Sequence, residues 1–418
     1  MSNVHMQASP WTRLKRSLLF WVLLAIIFGA ALGQFLPSWA IVPFATFNDI
    51  FGKYLGFSVP LIIVGLVAPA IYELGSSGGK WLLSTVAIAY GSNLVAGFGT
   101  WGLATLIYPS LLAGQKVPDL AKPEDAVASI MDKGFKLPPV FDVMTALIVA
   151  FMIGIGIAKI QGKTLGKAVS DFRDIITLVI AKTIVPLLPL HIFGIFMNMS
   201  KSGQFVTVIV AMSKIILFSF ILTVVLLLIQ YSLAGAISKK NPFKALWGMR
   251  DAYATALGTA SSAATIPVTA RCTRNNGVSR GVADFVIPLC ATIHLAGSSI
   301  KITAFALALQ HMMGIHPDPM HMVGFIMMLS VILVAAPGVP GGAITAAQAL
   351  LQGMLAFTDP MYAIMVAMYV AVDSFGTATN VTGDGAIAIV IDHFARGSLV
   401  QDSDALKETV ENINSARQ

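Results

Sequence analysis

Polar positions are rare along this chain, and where they occur they fall between long apolar runs rather than alternating with them. The runs are Ser17 to Leu36, Tyr54 to Tyr72, Trp81 to Tyr108, Val140 to Ile160, Ile175 to Met197, Phe205 to Ala236, Val282 to Leu309, Met322 to Leu355 and Tyr362 to Ile391, with a Gly/Ala/Ser-rich run over Asp251 to Ala270. A helix needs roughly 20 residues to cross a hydrocarbon core of about 30 Å, and most of these runs meet that length. The pattern predicts an all-α polytopic membrane protein.

Basic residues set the orientation. They cluster at Arg13, Lys15 and Arg16, at Lys159 to Arg173, at Lys239 to Arg250 and at Arg271 to Arg280. Positive charge marks the cytoplasmic side. The last two clusters flank one apolar run, so that run, 251–270, is expected to enter the membrane and return. The run 322–357 is too long for one span, and its centre "AAPGVPGGA", Ala335 to Ala343, stops a helix with Pro337, Pro340 and three glycines. A second hairpin entering from the opposite side is expected there. Irregular backbone at membrane depth is tolerated where it is buried in protein or lines a cavity.

Eight transmembrane helices plus two opposed re-entrant helical hairpins follow, the architecture of an inverted-repeat transporter. The expected organisation is a basic cytoplasmic N-terminus at 1–16, helices one to six over 17–240, and a transport core over 241–396. That core comprises hairpin one at about 251–270, helix seven at about 280–310, hairpin two at about 322–357 and helix eight at about 360–394. A cytoplasmic tail occupies 397–418. Composition agrees, with 56% of the 418 residues hydrophobic and 11% charged. The net charge of +7 is explained by topology, so no nucleic-acid partner is expected. Cys272 and Cys290 suggest neither a disulfide framework nor a metal site.

The chemistry concentrates in "VAVDSFGTATNVTGDGAIAIVIDHF", Val370 to Phe394. On one helix, Asp373, Thr377, Asn380 and Asp384 recur at i, i+4, i+7 and i+11 and share a stripe. A charge at the bilayer centre costs about 2.5 to 3.5 kcal/mol on insertion scales, so two carboxylates on one stripe require partners. An oxygen-rich stripe suits a hard cation, and helix–helix hydrogen bonding is the plainer alternative. The polar patch Tyr90 to Asn93 on the third helix leaves the same two readings, cation contact or interhelical bonding, for Tyr90 and Asn93.

Four motifs carry a resemblance. "NVTGD" (Asn380 to Asp384), "SSAATIPVT" (Ser261 to Thr269), "IPLCATIHLAGSS" (Ile287 to Ser299) and "PGVPGGA" (Pro337 to Ala343) resemble, in order, the last helix, first hairpin, seventh helix and second hairpin tip of the dicarboxylate/amino acid:cation symporter family, the glutamate-transporter family. The resemblance is greatest to its serine/threonine:sodium symporters. It implies no enzymatic activity and no cofactor. It implies a homotrimer in the cell membrane with both termini cytoplasmic, whose transport domains move elevator-fashion against a scaffold.

By position, the resemblance makes Asn380 and Asp384 ligands of a co-transported sodium ion and Thr292 part of a second sodium site. Asp373 would bind a substrate ammonium, with Thr377 and Asn380 lining the pocket. The hairpin tips, Ser261 and Ser262 on one side and Val339, Pro340 and Gly341 on the other, would offer backbone groups to an α-carboxylate. No metal beyond sodium is implied.

Two departures from the family pattern matter. Members that carry acidic amino acids place an arginine before the threonine matching Thr377, or before the hairpin serines. This chain has Gly376 and Ala260 there. A small neutral amino acid such as serine, threonine or alanine is therefore the expected substrate. The family's Asn-Met-Asp-Gly-Thr motif is here His294, Leu295, Ala296, Gly297 and Ser298. Ala296 removes a carboxylate, and His294 puts a titratable nitrogen, unperturbed pKa about 6.5, where a cation ligand is expected.

His294 reads either as a proton carrier, giving proton coupling, or as a neutral hydrogen-bonding residue with sodium still coupled. Lys301 would share its face if the helix is intact. It reads as a tethered cation in a sodium position, or as the partner of Asp373 or Asp384. It also keeps open a dicarboxylate or acidic amino acid as substrate, because it brings the positive charge that the missing arginines do not. An ion channel and an intramembrane enzyme are weaker readings. The polar residues gather at one place rather than forming a ring, and no His-Glu-x-x-His sequence is present.

Overall fold

A computed structural model describes residues 18–76, 80–115, 129–130, 137–140, 143–201, 203, 205–336 and 341–395. The expected N-terminal segment 1–16, the tail 397–418 and the hairpin-tip residues Gly338, Val339 and Pro340 lie outside them. The described residues are almost entirely helical, with no strand among them. In chain order these are α1 (Leu18–Phe35), α2 (Ser38–Ser76), α3 (Lys80–Leu111), α4 (Val143–Ile160), α5 (Lys163–Val179) and α6 (Val185–Lys201). There follow α7 (Phe205–Ser238), α8 (Pro242–Gly248), α9 (Arg250–Thr259), α10 (Ser262–Asn275), α11 (Arg280–Ile293) and α12 (Ala296–Met312). The last four are α13 (Pro319–Ala335), α14 (Gly342–Gly353), α15 (Asp359–Ala371) and α16 (Asp373–Ala395).

Five helical stretches among the described residues are long and apolar enough to cross a membrane, and the bent pair α15/α16 makes a sixth. α1, α4 and α13 contribute shorter apolar segments. α2 starts well before Tyr54 because Asn48, Asp49 and Lys53 do not interrupt it. Lys53 Nζ pairs with Asp49 one turn away at 3.0 Å, which lets the polar stretch stay helical. The expected run Ile175 to Met197 is part of a longer helical segment, in which a π-helical turn at Ile180–Ile184 joins α5 to α6.

The departures that matter for function are interruptions. The expected single helix at 280–310 is two, α11 and α12, separated at His294 and Leu295. The expected single helix at 360–394 is also two, α15 and α16, bent by 60° at Val372. The 251–270 segment forms α9 and α10 around Ala260, which sits at φ +48°, with Ser261 capping α10 through its side chain. α13 and α14 are separated at Ala336 to Gly341, where Gly341 at φ +75° supplies a left-handed turn that glycine adopts without strain. In each of these last two units the arms pack against one another.

α16 lies at the centre, touching α7, α9, α10, α11 and α12. Elsewhere, α1 and α6 form the closest pairing in the fold. A Cβ on Gly29 would lie 2.6 Å from the Phe193 carbonyl oxygen, so the two backbones approach as only small residues allow. Gly29→Val is expected to force α1 off α6 and to lower stability by about 1–3 kcal/mol, the usual cost of overpacking, read as an earlier thermal unfolding transition of the detergent-purified protein.

Candidate functional site

The broken ends of α9/α10, α11/α12, α13/α14 and α15/α16 converge. Ala260, Ser261 and Ser262 of the first break meet Ala336 and Ala343 of the second hairpin-like unit. They enclose a cavity of about 60 Å³ with Ala291, Thr292, Leu295, Ser298, Tyr369, Asp373, Thr377 and Asn380. A volume this small admits a few waters.

Each interruption frees backbone groups that an apolar interior cannot leave unpaired. Asn93 of α3 staples the α11/α12 break. Its Nδ2 donates to the Ile293 carbonyl at 3.1 Å, and its Oδ1 accepts from the Leu295 N–H at 3.0 Å. Asn380 accepts from the Gly297 N–H at 2.8 Å, in the first turn of α12. Asp373 Oδ2 accepts from the Gly341 N–H at 2.9 Å, tying the start of α14 to α16. The end of α11, with its partial negative charge, and the start of α12, with its partial positive charge, therefore meet beside the cavity.

Two buried side-chain pairs lie behind this shell. His294 Nδ1 is 2.8 Å from Asp384 Oδ1, and both residues are buried. The other imidazole nitrogen is 3.0 Å from Ser92 Oγ and 3.2 Å from Gln230 Nε2. Asp384 Oδ2 is buried with no hydrogen-bond partner among the described residues. The second pair is Lys301 with Asp373, Nζ to Oδ1 at 3.2 Å, with Lys301 only 2% exposed.

The sequence-expected residues divide into two groups. Ser261, Ser262, Thr292, Asp373, Thr377 and Asn380 line the one cavity. His294, Asp384 and Asn93 sit around the α11/α12 break. Asp373, Thr377, Asn380 and Asp384 all belong to α16, whose first residue is Asp373. His294 and Lys301 do not share a helix face, because the break falls between them, and each pairs with a different carboxylate of α16. Of the two partners left open for Lys301, the structure selects Asp373. Tyr90 is half-buried and no hydrogen bond joins it to either group among the described residues. The neighbouring Ser92 makes that contact instead.

Tyr369 was not singled out in the sequence. Its hydroxyl donates to Ser298 Oγ at 2.8 Å and its ring faces Lys301 Nζ at 3.9 Å. A tyrosine inside an apolar run carries no periodic mark, and only the fold reveals it. Gly376 also acquires a packing reason. A Cβ there would overlap Lys301 Cε and Nζ, so glycine is what lets the lysine lie against α16.

A family model described as the sodium:dicarboxylate symporter family matches residues 18–394. The chain belongs to that family. It is a membrane transporter and not an enzyme. Among its relatives are a serine/threonine transporter, SstT, of Acinetobacter baumannii (strain AYE), 28% identical over 90% of this chain and 96% of the relative. The SstT of Acinetobacter baylyi is 26% identical over 92% and 98%. The human excitatory amino acid transporter 2 is 27% identical over 60% of this chain and 45% of its own length.

The staple on the α11/α12 break gives a direct prediction. Asn93→Leu keeps the branched outline of the side chain and removes both bonds, leaving one carbonyl and one N–H unpaired, each costing about 1–3 kcal/mol. A thermal or denaturant unfolding measurement should show the loss, and an unchanged transition would mean that the break is satisfied in another way.

Proposed function

We propose that this chain is a secondary active symporter that moves a small neutral amino acid of the serine, threonine or alanine type with sodium. The observation that carries the reading is the convergence of Ser261, Ser262, Asp373, Thr377 and Asn380 on one small cavity between helix breaks. The helix starts and hairpin-tip N–H groups suit a carboxylate. The hydroxyls and the Asp373 carboxylate suit an ammonium and a short polar side chain. Asp373 and Lys301 together carry no net charge, which favours a zwitterion over a dianion. The SstT relatives, aligned over nine-tenths of the chain, support the same class.

Sodium is assigned to Asp384 and Asn380 with carbonyls at the end of α11, supported by the buried Asp384 Oδ2, which has no hydrogen-bond partner among the described residues. Thr292, at the cavity edge, is assigned to a second sodium position. In this reading α9/α10 and α13/α14, with Gly338 to Gly341 at the second tip, are the two opposed re-entrant hairpins. Eight spanning helices complete the topology, and both termini are cytoplasmic in the cell membrane. The core from 241 to 396 moves as an elevator within a homotrimer, which offers a route from the cavity to either side.

A second reading, proton coupling, is favoured by one observation. His294 already holds an oxygen of the carboxylate assigned to sodium, at 2.8 Å.

Uptake into proteoliposomes separates these readings. Labelled serine is expected to accumulate under an inward sodium gradient and to be competed by threonine or alanine. Aspartate uptake without serine uptake would defeat the neutral substrate, and accumulation driven by a proton gradient without sodium would defeat the ion assignment. Asp384→Asn is expected to abolish sodium-driven uptake. His294→Asn should leave it dependent on sodium and remove any dependence on the proton gradient.

A further inference from the structure

Lys301 is an anomaly in this fold. It is among the largest fully buried side chains, on a helix packed between α3, α7 and α16, where an ammonium group is costly without dedicated partners. Its partners form a complete shell. Asp373 Oδ1 lies at 3.2 Å, the Asp373 carbonyl at 3.3 Å, the Val372 carbonyl at 3.5 Å and the Tyr369 ring centroid at 3.9 Å. A carboxylate, two carbonyls at the α15/α16 break and an aromatic face are the donor types that recognise a monovalent cation.

The shell is built for an occupant. The Val372 carbonyl also accepts from the Phe375 N–H at 3.2 Å and the Asp373 carbonyl from Thr377 Oγ1 at 3.1 Å, so each uses its second lone pair on Lys301, and Gly376 is the residue whose side chain would occupy the ammonium's place. On the far side from the substrate cavity, Lys301 and Gly376 border a second cavity of about 300 Å³, which Ser213, Ser219, Thr223 and Phe375 also line.

We propose that Asp373, the Val372 and Asp373 carbonyls and Tyr369 form a monovalent-cation site that Lys301 fills as a tethered cation, and that takes a free alkali or primary ammonium cation when the lysine side chain is shortened. The tethered charge serves the transport cycle in a specific way. Asp373 keeps a counter-ion through every step, so no solution cation has to bind or leave at this position. Ions coupled to transport then bind at the positions assigned to Asp384 and Thr292 and not on Asp373. A substrate ammonium approaching Asp373 meets a carboxylate that is already half neutralised, and so must share it with Lys301.

This inference rests on the transport reading above, but one of its tests does not. In Lys301→Ala the stem and charge are removed, and uptake of the transported amino acid is expected to fall by about a hundredfold or more, as when one partner of a buried pair is lost. Methylammonium, small enough to enter through the 300 Å³ cavity, is expected to recover uptake by about tenfold or more by restoring the pair. Stimulation of Lys301→Ala uptake by potassium that the wild type lacks would support the site equally.

The second readout needs no substrate. The unfolding temperature of detergent-purified Lys301→Ala should rise with methylammonium while that of the wild type does not. A folded yield obtained only when methylammonium is present during purification carries the same meaning. Lys301→Met keeps the stem, fills the space and lacks the charge, so it should lose uptake and not respond. Wild-type uptake by Lys301→Met would overturn the proposal, as would a Lys301→Ala protein whose sodium-driven uptake and whose unfolding ignore methylammonium and potassium alike. If the wild type carries no amino acid at all, the transport reading fails and the unfolding response still decides the cation site.

Discussion

The constraint on which this structure depends is the pairing of backbone at four helix interruptions inside an apolar protein. A continuous helix satisfies its own N–H and C=O groups, and each break surrenders several of them where no lipid can replace the bond. The molecule answers with a small set of side chains. Asn93 spans the α11/α12 break, Asn380 caps the first turn of α12, Asp373 holds the start of α14 and Lys301 takes the carbonyls at the α15/α16 break. Two of them, Asp373 and Asn380, also line the cavity. Building the site and stabilising the breaks are thus one physical task.

Charge is handled in the same economical way. α16 carries two carboxylates into the interior, and α11/α12 supplies one cationic or titratable partner to each, His294 for Asp384 and Lys301 for Asp373. Breaking either pair by removing one partner would leave a buried charge uncompensated, which is far more costly than never having placed it there. This links the packing of α12 against α16, tight enough that Gly297 and Gly376 have no room for side chains, directly to the chemistry of transport.

Much of this was legible in the order of residues. Apolar run length announces helices that cross a membrane because hydrocarbon thickness sets a minimum length. Pro337 and Pro340 mark a helix stop because proline lacks the N–H and clashes with the preceding turn. The stripe Asp373, Thr377, Asn380 and Asp384 follows from helical periodicity, and all four do belong to α16. The interruption at His294 was not legible, because no proline or run of glycines marks it. "TIHLAG" reads as a passable helix, and it opens only because Asn93, distant in sequence, offers both a donor and an acceptor at that point.

The sequence alone therefore determined the family, the helical class and the identity of the polar residues that must find partners, because composition, periodicity and breakers are local properties. Only the tertiary structure decided who partners whom. It assigned Lys301 to Asp373 rather than Asp384, replaced Tyr90 with Ser92 beside His294, brought in Tyr369, and turned Gly376 from the absence of an arginine into the space a lysine needs. Those outcomes depend on distances of a few ångströms between helices far apart in the chain, where Coulomb and steric terms are steep and no local pattern records them.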